Sequence, residues 1–389
     1  MTVRPAFLDG NRLTLLETGQ AYFPALETAI QAASGDILLE TYIFQDDSVG
    51  RRIGAALADA VGRGVRVRVL VDGFGSQGFI ATLMPELEAQ GVSVLVFRRE
   101  IRRLSLRRHR LRRLHRKLAL INGKLAFVGN INIIDDFDPA APRHPRHDYA
   151  VRLEGPLVAQ VQASMERLWR HVRWAQLRRR PPPPEPPVVD ATPAGQLRAA
   201  LATRDNLRHR RDIEEAYLEA IQNARREIIL ANAYFLPGRR FRQALVEAAR
   251  RGVRITLLLQ GRVEYFLQHY ATQALYPYFL ARGIRIYEYM PSYLHAKVAV
   301  VDDEWATVGS SNIDPFSLLL AREANVIVTD RSFAHALHLR LKAAIQADAV
   351  ALRAEDWERR PLIARVASWA AYSLVRFAVG LTGYGGQHH

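Results

Sequence analysis

The chain has 389 residues, a formal net charge of +15, and 49% hydrophobic and 24% charged residues. That length exceeds one ordinary hydrophobic core, and the composition excludes a disordered or fibrous chain. Cysteine is absent, which excludes disulfides and thiolate chemistry, while the excess positive charge calls for an anionic partner, phospholipid or nucleic acid.

The opening residues, MTVRPAFLDGNRLTLLETG, lack the apolar core and small-residue cleavage site of a secretory signal. No apolar run reaches the length of about 18 residues that a spanning helix needs. An intracellular protein is expected. GDILLETYIF (Gly35–Phe44) predicts a strand, then an apolar-periodic helix, a strand in RGVRVRVLVDG (Arg63–Gly73) and another in AQGVSVLVF (Ala89–Phe97). From Arg98 to Arg116, ten arginines are interleaved with leucines. This run reads either as a solvated basic helix or as a cationic patch, each residue contributing about 1 kcal/mol near an anionic leaflet. HRKLALINGKLAFVGNIN (His115–Asn132) sets two apolar runs around Asn122-Gly123, a strong hairpin signal. Asp148 then heads the strand-like run of RHDYAVRLEGP.

The proline-rich stretch Arg178–Gly195 reads as a semi-rigid spacer. Beyond it the same order recurs: REIILANAYF (Arg226–Phe235), RGVRITLLLQG (Arg251–Gly261), ARGIRIYEY (Ala281–Tyr289) and HAKVAVVDDEWATVGSSN (His295–Asn312). Asp302-Asp303 takes the turn position and Glu323 heads REANVIV. FLQHYATQALYPYF (Phe266–Phe279) reads as a core helix more readily than as a lipid channel. The tail Pro361–Leu381 reads either as a helix docked on the second half or as an interfacial one, with Arg365 and Arg376 on one face and Trp369 among the apolar remainder. Alternating strands and helices imply α/β layers, and two copies imply a pseudo-twofold pair. The expected divisions are residues 1–177, a spacer 178–195, residues 196–355, and a tail 356–389.

Only four of the 54 basic residues are lysines, and two of these, Lys117 and Lys297, sit two residues after His115 and His295. On a strand such pairs share a face, and a lysine acts as a point charge for phosphate. With tight turns at Asn122-Gly123 and Asp302-Asp303, His115 falls opposite Asn130 and His295 opposite Ser310, while Asn132 and Asn312 emerge beyond the histidine ends. Each mouth gathers a His, a Lys and an Asn. A neutral imidazole could then attack phosphorus while the second donates a proton to the leaving oxygen, the lysines and Asn132 and Asn312 holding the non-bridging oxygens. Asp148 and Glu323 are candidates to orient the imidazole of their own half. No metal or other cofactor is expected, since Asp135, Asp136 and Asp138 read as loop acids.

These residues resemble the phospholipase D superfamily, whose signature HxKxxxxD followed by GSxN usually occurs twice. The second copy matches at His295, Lys297, Asp302, Gly309, Ser310 and Asn312; the first matches at His115, Lys117, Gly129 and Asn132, with Asn122 and Asn130 as departures. Asn suits the turn position as Asp does. LLETYIF, DYAVRLEGP and NAYFLPGRRF look like bacterial cardiolipin synthases of the B type, and the likeness runs from about residue 8 to 350. It implies an α/β fold of two α/β/α sandwich domains with mixed sheets, related by a pseudo-twofold and sharing one active site. It implies catalytic roles for the His, Lys, Asn and Asp positions of both motifs, His115 as nucleophile and His295 as acid and base, with Gly129, Asn130, Gly309 and Ser310 contacting substrate. The implied reaction transfers a phosphatidyl group between two phosphatidylglycerol molecules, at the cytoplasmic face of the membrane, by a peripheral enzyme.

A phosphodiesterase with water as acceptor, acting on lipid or nucleic acid, remains an alternative, as does a non-catalytic basic membrane-binding protein. Nucleic acid is the less favoured partner. Product identity separates the first two readings, and turnover separates the third.

Overall fold

The computed structural model describes residues 4–99, 112–138, 141–176, 189–205, 209–314, 321–358 and 361–379. Most of the arginine run and of the proline-rich spacer therefore lies outside the described residues. The first half contains β1 (Leu8–Glu17), α1 (Thr18–Gln31), β2 (Asp36–Thr41), α2 (Ser48–Gly62), β3 (Arg66–Asp72), α3 (Gln77–Ala81), α4 (Leu83–Ala89) and β4 (Ser93–Phe97). It continues through β5 (Arg113–Leu114), β6 (Lys117–Ile121), β7 (Leu125–Gly129), β8 (Phe137–Asp138), β9 (Ala141–Pro145), β10 (Tyr149–Glu154) and α5 (Val158–Ala175). The second half opens with β11 (Leu197–Arg204), α6 (Asp212–Asn223), β12 (Glu227–Asn232), α7 (Arg239–Arg250), β13 (Arg254–Gln260), α8 (Phe266–Gln273), α9 (Tyr276–Leu280) and β14 (Arg285–Tyr289). It ends with β15 (Lys297–Val301), β16 (Trp305–Gly309), β17 (Ala321–Val328), α10 (Arg331–Asp348), β18 (Ala349–Ala351), α11 (Ala354–Glu358) and α12 (Leu362–Val379).

The fold is α/β, built on a mixed sheet. Outward from its centre the strands run β1-β10-β7-β6-β2-β3-β4 on one side and β11-β17-β16-β15-β12-β13-β14-β18 on the other. The first seven strands of each order correspond one for one, as expected of a duplicated plan, and β18 is an addition at the second half's edge. β1 and β11 pair antiparallel across the middle, so the halves share one sheet of 16 strands, counting β5 beside β17. Neither central strand carried a sequence motif.

Strands such as β2, β6 and β15 are buried along their whole length, which explains their continuous Ile, Leu and Val runs. One face of the sheet carries a core common to both halves, including Val161, Met165 and Trp169 of α5 and Phe333, Leu337 and Leu341 of α10. On the other face each half keeps its own core, under α1 and α2 in the first and under α6 and α7 in the second. Asp47 and Asp330 cap α2 and α10, accepting from Gly50 N–H (2.8 Å) and Phe333 N–H (3.0 Å).

The catalytic-motif hairpins turn where expected, with positive φ at Asn122 and Gly123 and at Asp302 and Asp303. Their register differs from the expected one by a residue. Lys124 N–H closes the turn on Ile121 O (3.0 Å), yet the ladder pairs Ile121 with Leu125, and Val301 likewise pairs with Trp305. Lys124 and Glu304 are left as bulge residues. Carried to the other end, this register sets His115 beside Ile131 and His295 beside Ser311, not beside Asn130 and Ser310.

Candidate active site

Lys117 and Lys297 begin β6 and β15, and each histidine stands just before its strand. Here the two halves cross. β5 leaves its own half and pairs parallel with β17, and His115 N–H donates to Arg322 O (3.0 Å). Correspondingly, His147 bridges Leu294, and His295 N–H donates to His147 O (2.9 Å). Each motif histidine is thus held by the backbone of the residue preceding the other half's candidate acid.

The side chains follow the same rule. His115 Nδ1 lies 3.1 Å from both carboxylate oxygens of Glu323, and His295 Nδ1 lies 2.8 Å from Asp148 Oδ2. The pairing expected within each half is corrected: each acid serves the histidine of the opposite half. Strand order explains this, because Asp148 and Glu323 sit at the site-facing ends of β10 and β17, beside the centre of the sheet. With Nδ1–H engaged, Nε2 is the free nitrogen of each ring.

Asn130 and Ser310 turn toward the acids rather than toward a substrate. Asn130 Nδ2 donates to Asp148 Oδ2 (2.7 Å) and to His295 O (2.7 Å); Ser310 Oγ donates to Glu323 Oε2 (2.5 Å). Gly129 and Gly309, also expected to touch substrate, have a packing reason instead. A Cβ on Gly129 would lie 2.5 Å from Ala150 Cα, and one on Gly309 would lie 2.3 Å from the Asn325 side chain. Glycine lets the strand bearing each acid approach closely.

Both lysines are buried, each ammonium donating to the carbonyl of its own histidine (Lys117 to His115 O, 2.8 Å; Lys297 to His295 O, 2.6 Å). Burial pushes Lys117 down to about 7 and Lys297 down to about 8, against the pull of Asp148 and Glu323. Both lysines feel both acids across the junction of the halves, and Lys117 also feels the charge of Lys297. The imidazoles, 15% exposed, are pushed toward the neutral form mainly by burial, His295 further than His115. Asn132 and Asn312 are buried nearby; Asn132 Oδ1 accepts from Ile43 N–H (3.0 Å), whereas Asn312 Oδ1 has no hydrogen-bond partner.

Asp302 and Asn122 do not belong to this site. They occupy the opposite ends of the hairpins, roughly 20 Å along the strand from the histidines at about 3.3 Å per residue. Asp302 accepts from the backbone N–H groups of Arg225 (2.7 Å), Arg226 (2.7 Å) and Glu227 (2.8 Å), and Asn122 Oδ1 accepts from Ser34 (3.2 Å) and Gly35 (2.9 Å). Their expected catalytic role is corrected to that of loop anchors. The shared task also explains why Asn replaces Asp in the first copy: accepting needs only an oxygen.

Several site neighbours carried no motif signal. Tyr42 lies with its ring 4.9 Å from that of His115 and 5.5 Å from Lys117 Nζ. Beyond His295, Glu264 bridges Arg146 (3.1 Å) and Tyr234 (2.5 Å), and its charge opposes the depression of His295. Asp72 Oδ2 and Gln260 Oε1 accept from Leu114 and Leu294 N–H (both 2.8 Å), fixing the residue before each histidine. Asp72 and Gln260 close the matching strands of the two copies, a correspondence visible in the repeat.

A family model described as cardiolipin synthase, PLD-like domain matches residues 26–169 and 217–344. Cardiolipin synthase B of Escherichia coli K12 is 41% identical over 350 residues, covering 87% of this chain and 82% of that protein. Cardiolipin synthase A of Pseudomonas putida is 34% identical over 337 residues, covering 84% of this chain and 66% of that protein. Among solved structures, phosphatidylserine synthase of Haemophilus influenzae Rd KW20 shares the fold, with a TM-score of 0.73 over 97% of this chain and 96% of that one at 11% identity.

Anchoring by Asp302 makes a specific prediction. Asp302→Ala strands three backbone N–H groups and should lower stability by about 1–3 kcal/mol, whereas Asp302→Asn should cost well under half of that. Denaturant unfolding of the two variants checks it; equal losses would remove the anchor argument.

Proposed function

The chain belongs to the family of phospholipase D-like cardiolipin synthases, which are phosphatidyltransferases, and from that premise we propose that it condenses two phosphatidylglycerol molecules into cardiolipin and glycerol. The crossed histidine–carboxylate pairs carry this reading. They hold two imidazoles with free Nε2 atoms on opposite sides of one junction, beside two buried ammonium groups.

In the first step His115 Nε2 attacks phosphorus of the donor, and the bond from phosphorus to the glycerol headgroup oxygen breaks. His295 gives that oxygen a proton, so free glycerol leaves. The phosphorylated ring of His115 is cationic, and Glu323, at 3.1 Å through both oxygens, offsets its charge. In the second step His295 takes a proton from the acceptor's glycerol hydroxyl, the oxygen attacks phosphorus, and the bond to His115 breaks. Lys117, Lys297, Asn132 and Asn312 hold the non-bridging oxygens throughout. Without ligand His295 favours its neutral form. A phosphodiester anion arriving between the lysines raises its proton affinity, so protonation accompanies binding.

The membrane is reached through α12. No helix among the described residues is long and apolar enough to cross a bilayer. The two readings of the tail correspond to opposite faces of one helix, one docked and one exposed. Val375 and Ser368 are buried against the second half, whereas Leu362, Ile363, Val366, Trp369, Leu374 and Phe377 recur at helical spacing on the outside, Ile363 83% and Phe377 64% exposed. The segment it packs on exposes Val263, Tyr265 and Phe266, while Glu264 between them reaches Arg146 beside the site. These exposed apolar residues suit contact with lipid, and Glu264 among them ties the segment to Arg146 near His295.

Three outcomes are expected. Purified protein with phosphate-labelled phosphatidylglycerol gives cardiolipin and glycerol, with the label trapped on His115; His115→Ala abolishes labelling, and His295→Ala slows turnover on the order of 10² to 10⁴-fold. Phosphatidic acid as the sole lipid product would instead establish the hydrolase. Because each lysine is charged below its lowered pKa and neutral above it, kcat/KM should fall as pH rises through about 7 to 8; a profile flat up to the ordinary lysine range contradicts that. Ile363→Glu combined with Trp369→Glu should abolish flotation with phosphatidylglycerol vesicles while leaving the circular dichroism spectrum unchanged, and undiminished flotation would assign membrane contact to another surface.

A further inference from the structure

At the far tip of the second hairpin, Asp303 meets two histidines of α10, His335 and His338, one turn apart on the same side of the helix. Asp303 Oδ2 lies 3.4 Å from His335 Nδ1, Asp303 Oδ1 contacts His338 Nδ1, and one ligand atom from each residue fits within a span of 4.8 Å. Four-coordinate zinc with bonds of about 2.0–2.2 Å keeps its ligands roughly 3.3–3.5 Å apart, so this constellation needs little adjustment to enclose one ion.

A second feature points the same way. His338 Nε2 faces Glu227 Oε2 at 3.5 Å, and Glu227 is itself held by Lys342 Nζ at 3.4 Å. His338 Nδ1 hydrogen-bonds Asp303; a metal taking the place of that proton would leave the Nε2–H facing Glu227, the outer carboxylate that metal-ligating histidines use. The His338 side chain is only 12% exposed, whereas His335 is 58% exposed, so the site has a rigid floor and an open side. A cavity of about 80 Å³ lined by Asp302, Asp303, Glu227 and His338 adjoins it, with room for water to complete the coordination shell. The arginines bordering that cavity are engaged, Arg226 with the Asp302 carbonyl and Arg254 with Glu227.

We infer that Asp303, His335 and His338 form a binding site for a divalent transition metal, zinc by ligand type, which clamps α10 to the hairpin that carries His295 and Lys297 at its other end. This revises the expectation of no metal from sequence. Asp303 also occupies the turn position next to the motif aspartate, so the site marks a structural use of that turn beyond loop anchoring. Two nitrogens and one carboxylate favour Zn²⁺, Co²⁺ or Ni²⁺ over Mg²⁺ and Ca²⁺.

Calorimetric titration of the chelator-treated full chain with Zn²⁺ should show one site per chain and a rise in Tm, with no response to Mg²⁺. His335→Ala and His338→Ala should each weaken that site at least tenfold, and Glu227→Gln about tenfold through the outer carboxylate. Cobalt should give the visible absorption of a low-coordinate nitrogen–oxygen site in the parent protein and not in His335→Ala. His335 is largely exposed, so its variant should keep the parent's Tm in chelator, which separates lost ligation from lost folding. Zinc binding that survives both histidine substitutions, or no binding by the parent, overturns the proposal.

Discussion

Everything in the site depends on the exchange of hydrogen bonds across the pseudo-twofold, Glu323 to His115 and Asp148 to His295. Neither motif histidine finds its carboxylate within its own half. The exchange is possible because β1 and β11 join the halves into one sheet, which puts β10 and β17, the strands bearing the acids, next to the seam. Backbone bonds reinforce it: His115 and His295 each donate to the carbonyl of the residue preceding the acid that orients its ring. A core common to both halves on one face of the sheet prevents the seam from opening without loss of packing.

Electrostatics follows from that seam. Two ammonium groups and two carboxylates are buried together, so each charge loses water but gains opposite charges nearby. Desolvation still leaves its mark, lowering the lysines toward neutrality and pushing the imidazoles toward their uncharged form. A neutral imidazole is the nucleophilic form, and an ammonium in a poorly hydrated site interacts strongly with phosphate.

The outer surface of the second half complements the interior. α12 is apolar on two sides, one docked and one facing outward, and it packs on α8, which begins beside the exposed residues flanking Glu264. Glu264 in turn contacts Arg146, two residues before Asp148. Exposed apolar residues and the charged groups of the site are therefore only a few residues apart along the chain.

The amino-acid order by itself determined the features that depend on local spacing. The duplicated strand–helix plan, the two HxK segments, the turn positions and the rare lysines are all periodicities or short intervals along the chain, and their strands and turns formed near the expected residues. Phe266–Phe279, expected as one core helix, instead divides into α8 and α9 with Phe266 exposed. What lay beyond sequence were relations between segments far apart in the chain. Asp148 and Glu323 were recognisable as acids at strand heads, but which imidazole each serves depends on strand order across the sheet. Asp302 belonged to a catalytic signature in the sequence, and only the straightness of a five-residue strand carries it away from its histidine. α12 showed an apolar composition without revealing which side is covered, because that is set by its partner surface. Asp303, His335 and His338 likewise meet only when α10 packs beside the hairpin. Local backbone preferences and hydrophobic period are written residue by residue, whereas contacts across the pseudo-twofold arise from how the finished elements dock, so they were decided by the tertiary structure.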